Sequence, residues 1–233
     1  MKIGVAFSGC GDSALGAWAF ADELEKYSLK IDLLSVTSLS AISSLLWSYG
    51  QEEGQIRKYM AGLMKSPSWE ELDFTLAPKE KGYRCPLAVN SVDVLTGVSV
   101  VYCDQLHSDA WKLKTYPLAG RERQALLSTL SPYKGLEPLC LDDMLLCDFS
   151  VQYGCPCFPL KMAGVEKILS VSFCGGYQPV QVAADSLSLL TGKNSDLHYS
   201  LPAPKRKRIA RIEEANRQFV REHISEIYEK LLF

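Results

Sequence analysis

Two strand-like runs, each followed by a helix-like run, occupy the first fifty residues and constrain the fold more than any other feature. Residues 3–7 and 31–35 are short and apolar. Residues 14–27 and 38–49, which follow them, carry apolar side chains at helical spacing. Strand, helix, strand and helix in this order predict a βαβα unit. Such a unit implies an α/β fold with a mainly parallel central sheet and helices on both faces.

Further elements are predicted along the rest of the chain from the same patterns. Residues 85–94 and 97–103 read as two strands that meet at a hairpin turn, Leu95-Thr96-Gly97. The other predictions are a helix at 51–64, an outward loop at 66–81, short helices and loops at 104–146, a strand at 167–173, a helix at 179–190, a loop at 191–204 and a long helix at 205–233.

Composition limits the kind of protein this chain can be. Its 233 residues, 47% of them apolar, suit a single domain spanning 1–233, with a less regular excursion at about 104–146. A net charge of −2 gives no reason to expect nucleic-acid binding. We see no signal peptide and no apolar run long enough for a transmembrane helix, so we expect a cytoplasmic protein.

One short basic run allows a second kind of partner. Residues 204–208 read Pro-Lys-Arg-Lys-Arg. The run is either a solvated start of the last helix or a contact for anionic lipid or a protein partner. Peripheral membrane contact therefore stays open.

The eight cysteines are expected to be free thiols, because no export signal precedes them. Cys155-Pro156-Cys157 is the one close pair. A metal site would need a second pair or nearby histidines, and His107, His198 and His223 show no ligand spacing. We predict no metal and no cofactor.

The glycine-containing loop after the first strand is a candidate anion site. Ser8-Gly9-Cys10-Gly11-Asp12-Ser13-Ala14 lies between a strand and a helix, where backbone amides converge and favour negative charge. The loop lacks the Lys of a phosphate-binding Walker loop and the third glycine of a dinucleotide site. It suits a phosphate or a tetrahedral oxyanion.

Ser38 lies at the next strand-to-helix turn. Adjacent βα loops of a parallel sheet open at the same carboxyl edge, so the serine and the glycine loop are expected side by side. Together they have the arrangement of a nucleophile and an oxyanion hole. The alternative is that Thr37 or Ser38 merely caps the following helix.

In these segments the chain resembles the patatin-like phospholipases, lipid acyl hydrolases of α/β fold that use a Ser-Asp dyad. The Ser8–Ala14 loop resembles the family's Ser-Gly-Gly-Gly-x-Arg/Lys-Gly, and Val36-Thr37-Ser38-Leu39-Ser40 resembles Gly-x-Ser-x-Gly. Cys174-Gly175-Gly176 stands where the family has Asp-Gly-Gly. The resemblance covers about residues 1–50, 85–104 and 147–190. It implies a three-layer α/β/α domain, Ser38 as nucleophile, Cys174 at the aspartate position and Gly9, Cys10 and Gly11 as the oxyanion hole.

Each departure from these motifs weakens the chemistry that the resemblance implies. Cys174 is a poor general base, because an unperturbed thiol has a pKa of about 8.5. At neutral pH it is therefore mostly protonated and cannot accept the serine proton. Val36 and Ser40 replace the glycines of the turn, which is expected to relax and to withdraw Ser38. Asp12 brings a carboxylate near the oxyanion site, although it can also serve as a helix cap.

Five other aspartates are conceivable substitutes for the missing base, provided that one lies within hydrogen-bond reach of the serine. They are Asp93, Asp142, Asp143, Asp148 and Asp185. The sequence does not distinguish among them.

These observations give three functional hypotheses. The first is a patatin-like acyl-ester hydrolase homologue that is catalytically impaired or inactive and that retains lipid or acyl-chain binding, or acts through a protein partner. The second is an active serine lipid acyl hydrolase that uses Ser38 with a non-standard base. The third is a thiol-based role for Cys174, which would require an exposed cysteine of low pKa.

Overall fold

The fold is described from a computed structural model. Its described residues are 1–9, 11–65, 83–108, 112–132, 136–173, 186–187, 190–191, 193–202 and 208–233. The predicted loop at 66–81, most of the predicted helix at 179–190 and the basic run apart from Arg208 lie outside these residues.

Within the described residues, nine strands form one sheet that is mainly parallel. They are β1 (Ile3–Ser8), β2 (Leu33–Val36), β3 (Leu87–Asp93), β4 (Ser99–Tyr102), β5 (Leu113–Tyr116), β6 (Leu139–Leu141), β7 (Met144–Asp148), β8 (Lys167–Phe173) and β9 (Leu197–Leu201). The central order is β5-β4-β3-β2-β1-β8-β9, with β7 paired to β3 and β6 paired to β7.

Helices cover both faces of this sheet and give a three-layer α/β/α arrangement. They are α1 (Ala17–Lys26), α2 (Ser40–Ser48), α3 (Glu53–Lys65), α4 (Glu122–Leu130), α5 (Ser150–Tyr153), α6 (Phe158–Met162) and α7 (Ile209–Leu232). A 3-10 turn, Asp12–Gly16, precedes α1. The βαβα unit predicted from the first fifty residues is confirmed, and Gly50 ends α2 in a left-handed conformation (φ 70°).

Alternation along the strands divides the core between the two faces. In β1, Val5 and Phe7 pack into the larger cluster, with α1, α2, α4 and α7. Ala6, from the same strand, packs on the opposite face with Leu160 of α6 in the smaller cluster. Successive strand residues point to opposite faces, so each of these buried strands serves two cores.

The register of β7 positions the site described below. Strand β2 pairs with the first half of β3, up to Val36 opposite Val89. Strand β7 pairs with the second half of β3, and its last residue, Asp148, lies opposite Ser91. Because β4 occupies the other edge of β3, β7 continues the sheet beyond the carboxyl end of β2. Asp148 is thereby brought to the turn that carries Ser38.

Two regions predicted as irregular contain strands. The segment at 104–146 holds β5, β6 and most of β7, and the segment at 191–204 holds β9. Strands β5 and β9 end the central strand order, and most of their residues are partly exposed. A half-exposed edge strand lacks the continuous apolar run on which the prediction relied. The last helix begins at Ile209, four residues later than predicted.

None of the helices in the described part of the chain is both long enough and apolar enough to cross a lipid bilayer.

Candidate active site

Ser38 occupies a sharp turn between β2 and α2 and has a left-handed backbone conformation, with φ of 60°. Three other described non-glycine residues have positive φ, but all three are exposed, whereas Ser38 is fully buried. A left-handed conformation costs a residue with a side chain about 1–2 kcal/mol, so the surrounding structure must hold it. The turn therefore keeps the strained shape typical of a presented nucleophile.

The residues that replace the two elbow glycines fit this turn. Val36 ends β2 and is buried in the larger core, and Ser40 begins α2 and is also buried. The Ser40 hydroxyl donates to the Thr37 carbonyl at 2.7 Å, which fastens the turn from within. The expectation that loss of the glycines would relax the backbone is wrong. Ser38 is nevertheless 0% exposed, so its side chain is not presented to solvent.

The helix-cap interpretation of Thr37 and Ser38 is also wrong. The residue before α2 is Leu39, and no side chain makes a cap hydrogen bond there. The Thr37 hydroxyl instead faces Thr129, Asp148 and the Asn90 carbonyl. The Ser38 hydroxyl makes no hydrogen bond within the described part of the chain.

A buried polar network braces the turn against its strain. The Ser38 amide donates to the Thr129 hydroxyl at 2.9 Å, and that hydroxyl donates to the Asn90 carbonyl at 2.6 Å. The Asn90 side-chain amide donates to the Val36 carbonyl at 2.9 Å. These bonds run between α4, β3 and the end of β2. Together these bonds fix the backbone at the end of β2 from two neighbouring elements.

Asp148 is the carboxylate that meets this network. Its Oδ1 accepts from the Thr37 hydroxyl at 2.8 Å and from the Ser150 amide at 2.9 Å. Burial raises the pKa of Asp148, although nearby donors, Ser38 and Thr37 among them, oppose the rise. Ser38 is therefore close enough to act on the Asp148 charge, while its Oγ lacks the geometry of a hydrogen bond.

The other aspartates proposed as substitute bases have different surroundings. Asp93 holds the β3–β4 hairpin through Thr96 and the amide of Leu95. Asp142 lies on the surface beside Tyr116, and Asp143 is exposed. Asp185 lies outside the described residues. Of the described candidates, the structure brings only Asp148 to Ser38. Asp148 could have been singled out only from the pairing register of β7 on β3, and that register depends on residues far apart in sequence.

The described part of the glycine loop is shaped by packing. Gly9 has φ of 135°, and a Cβ atom there would lie 2.4 Å from the Phe173 carbonyl oxygen at the end of β8. Gly11 precedes the 3-10 turn and accepts a backbone bond from Ala14. The cap position of this turn is Gly11 itself, which has no side chain to provide a cap hydrogen bond. Cys10 lies outside the described residues, so the predicted oxyanion hole is described only at Gly9 and Gly11.

The position of the family aspartate is also beyond what the structure describes. Cys174, Gly175 and Gly176 lie outside the described residues. They follow β8 directly, and β8 pairs with β1 up to Ser172 opposite Ser8. The end of β8 thus lies beside the start of the glycine loop.

An apolar cleft of about 520 Å³ opens next to this region. Phe149, the residue after Asp148, lines the cleft together with Tyr153 and Phe158, and Lys112 and Lys161 add two positive charges. Cys155 and Cys157 also line it. A cleft of this size and composition is typical of sites for small amphipathic ligands.

Two comparisons with known proteins give no family for this chain. A scan against protein-family models finds no match, and a search of curated proteins finds none either. Among the described residues, no group of three His, Cys, Asp or Glu side chains is placed to hold a metal ion. The geometry around Ser38 is therefore the main indication of function in this chain.

Proposed function

We propose that the chain is a patatin-like acyl-ester hydrolase homologue with little or no turnover, which binds an acyl chain or lipid. One observation carries the proposal. Ser38 has the strained backbone of a presented nucleophile, yet its hydroxyl is buried and has no hydrogen-bond partner among the described residues. A nucleophilic serine must be reached by its substrate and must pass its proton to a base.

The surroundings of Asp148 support impaired turnover. Its Oδ1 already accepts hydrogen bonds from the Thr37 hydroxyl and the Ser150 amide. The carboxylate therefore stabilises the turn instead of accepting the Ser38 proton. The family's own base position holds Cys174, whose thiol is a weak base for a serine hydroxyl. Loss of a general base typically lowers the rate by about 10²–10⁴.

The apolar cleft supports ligand binding. Phe149, Tyr153 and Phe158 provide apolar walls, and Lys112 and Lys161 provide charges complementary to a carboxylate or phosphate head group. Burial of an acyl chain contributes about 0.8 kcal/mol per CH₂ group. A fatty acid or another amphipathic anion therefore suits this cleft.

A second function, active ester hydrolysis, is favoured by one specific observation. Burial raises the pKa of Asp148, which makes its carboxylate a stronger base, and Ser38 lies nearby. In this mechanism Ser38 attacks the ester carbonyl, Asp148 takes the hydroxyl proton, and amides of the loop around Gly9 and Gly11 stabilise the oxyanion. The turn would have to open, because Ser38 is fully buried.

One set of measurements distinguishes the two functions. The wild type and the Ser38→Ala and Asp148→Asn variants are tested for labelling by a fluorophosphonate probe, hydrolysis of p-nitrophenyl butyrate and binding of a fluorescent fatty acid. Ser44→Ala is the matched control, because Ser44 is also buried without a hydrogen-bond partner among the described residues. We expect the wild type to bind the fatty acid and to show no hydrolysis beyond that of Ser38→Ala.

The other outcomes are equally informative. Hydrolysis and labelling that Ser38→Ala and Asp148→Asn both abolish, and that Ser44→Ala keeps, would establish the active enzyme and overturn the proposal. Failure to bind the fatty acid, together with no turnover, would contradict both functions. If Cys174 silences the site, Cys174→Asp should give hydrolysis that Cys174→Asn does not give and that depends on Ser38.

A further inference from the structure

A pair of cysteines at the apolar cleft lies outside the chemistry of Ser38. Cys155 and Cys157 flank Pro156 in the loop between α5 and α6. Both are almost fully buried by their neighbours, and both line the cleft of about 520 Å³. A small solute that enters the cleft meets this pair.

The backbone brings the two cysteines together. The Cys157 amide donates to the Cys155 carbonyl at 2.8 Å, which closes a three-residue turn around Pro156. A turn of this type folds the chain back on itself and brings its first and last residues close together, and a disulfide requires Cα atoms about 4.4–6.8 Å apart. The Cys155 amide donates to the Thr191 hydroxyl at 2.8 Å and fixes one end of the turn.

The two thiols are close enough to affect each other's titration, and they do so in opposite directions. The neighbouring Cys155 lowers the pKa of Cys157, and Ser170 and Lys161 lower it further, so that together they outweigh burial. In the reduced state the Cys155 thiol donates to the Ala6 carbonyl at 3.8 Å. Burial and the neighbouring Cys157 raise the pKa of Cys155. In such a pair the thiol of lower pKa is suited to attack an oxidant as a thiolate. The other thiol is suited to form the disulfide in a second step.

Polar side chains on the neighbouring strands face this pair. Ser170 lies in β8, and its Oγ is 2.7 Å from His198 Nδ1 of β9 and 2.7 Å from the Ser195 hydroxyl. The Ser195 hydroxyl donates its proton to the Leu197 carbonyl, so in its contact with Ser170 it acts as the acceptor. With Nδ1 protonated, His198 donates to the Ser170 hydroxyl, and Ser170 in turn is one of the groups that lower the pKa of Cys157.

We propose that Cys155 and Cys157 form a redox-active dithiol site that hydrogen peroxide entering the cleft converts to a disulfide. The Cys157 thiolate attacks one peroxide oxygen, the O–O bond breaks and hydroxide leaves, which forms a sulfenic acid on Cys157. Cys155 then attacks that sulfur, the S–O bond breaks and the S–S bond forms. The two protons of the dithiol join the two oxygens as water, the thiols are oxidised and the peroxide is reduced.

The dithiol site does not use Ser38, although it lines the same cleft that is proposed to bind the acyl chain. Ser38→Ala should therefore form the disulfide at the wild-type rate. Removal of the Ser170 hydroxyl should slow the first step by about tenfold or more, because Ser170 helps to lower the pKa of Cys157 and so favours its thiolate. Ser170 acts here as a positioning residue for Cys157.

The experiment oxidises the reduced full-length protein with hydrogen peroxide, blocks the remaining thiols and maps the cysteines by tandem mass spectrometry. In the wild type we expect an internal disulfide between Cys155 and Cys157. Cys140→Ser is the matched control, because Cys140 is an exposed free cysteine in the same part of the chain. It should leave the disulfide and its rate unchanged.

Single-cysteine variants test the order of the two steps. In Cys155→Ser the reaction should stop at a sulfenic acid on Cys157, which dimedone traps, and in Cys157→Ser dimedone should label Cys155 far more slowly. A wild type that forms no Cys155–Cys157 disulfide, or links either residue elsewhere, overturns the proposal. The wild-type map decides the matter even if a serine variant fails to fold.

Discussion

At the scale of single residues, Ser38 combines two features that each lower stability. Its left-handed backbone is unfavourable for a residue with a side chain, and its buried hydroxyl lacks a partner among the described residues. Ser40, two residues later, donates to the Thr37 carbonyl. Two buried serines in one turn thus have opposite energetic roles. Strain that serves no packing purpose is characteristic of functional positions.

This contrast gives a prediction for stability. Ser38→Ala should raise the free energy of unfolding by about 1 kcal/mol, because it removes an unpaired buried hydroxyl. Ser40→Ala should lower it by about 1 kcal/mol, because it removes a hydrogen bond. Urea titrations followed by circular dichroism measure both changes. A Ser38→Ala variant less stable than Ser40→Ala would show that the Ser38 hydroxyl has a bonding partner.

At the scale of elements, α7 is fastened to α1 by a buried ion cluster as well as by apolar packing. Arg217 donates to Asp22 at 2.6 Å and to Glu23 at 3.1 Å, and the side chains of all three are less than 10% exposed. The Arg217 guanidinium also lies over the Trp18 ring. A buried charge that loses its partner is strongly destabilising, so the cluster fixes how the last helix docks.

Arg217→Ala is expected to lower the free energy of unfolding at pH 7 by about 3–5 kcal/mol, because it leaves Asp22 and Glu23 without this partner. Lys30→Ala, at an exposed pair with Asp32, is the control and should change little. Thermal and urea unfolding measure both. An Arg217→Ala variant as stable as Lys30→Ala would contradict this assignment.

The same cluster has a defined pH dependence. Burial raises the pKa of Asp22, but hydrogen bonds from Lys26 and Arg217 outweigh it and lower the value from 3.8 to about 2. A lowered pKa in the folded state stabilises the fold above the unfolded-state pKa, and this contribution is lost as the pH falls from about 4 to about 2. The difference between wild type and Arg217→Ala should therefore shrink in that range.

The elements differ in how much the sequence alone discloses. Strand β8 was predicted at its observed bounds, because Lys167–Phe173 is an apolar run buried on both faces. Strand β9 was missed, because a half-exposed edge strand leaves little apolar signal. Ser38 was found from local order, whereas Asp148 reaches it only through the register of β7 on β3. Register between distant segments is set by the packed sheet and has no local signature.

At the scale of the whole molecule, the described strands join in one sheet that links the beginning and the end of the chain. Strand β1 pairs with β2 on one side and with β8 on the other, and α7 packs against α1. The β1–β8 pairing and the packing of α7 on α1 join segments more than 150 residues apart. If either half of the chain unfolds, the other half loses strand pairing and helix packing.

We therefore expect one cooperative unfolding transition. Tryptophan fluorescence reports on the four tryptophans, of which Trp18 and Trp47 are buried in the larger core, and far-ultraviolet circular dichroism reports on all helices. The two signals should give the same urea midpoint. Two separate midpoints would contradict the single domain predicted from the sequence.

The close approach of Gly9 to Phe173 has a consequence for how such chains are recognised. A side chain at Gly9 would collide with the β8 backbone whether or not the loop ever stabilises an oxyanion. Selection for a folded protein therefore suffices to keep this glycine after any enzymatic use has ended. A sequence motif that includes this glycine would therefore match inactive homologues as readily as working enzymes. Positions that the architecture leaves free to vary are the ones that can distinguish working enzymes from inactive homologues.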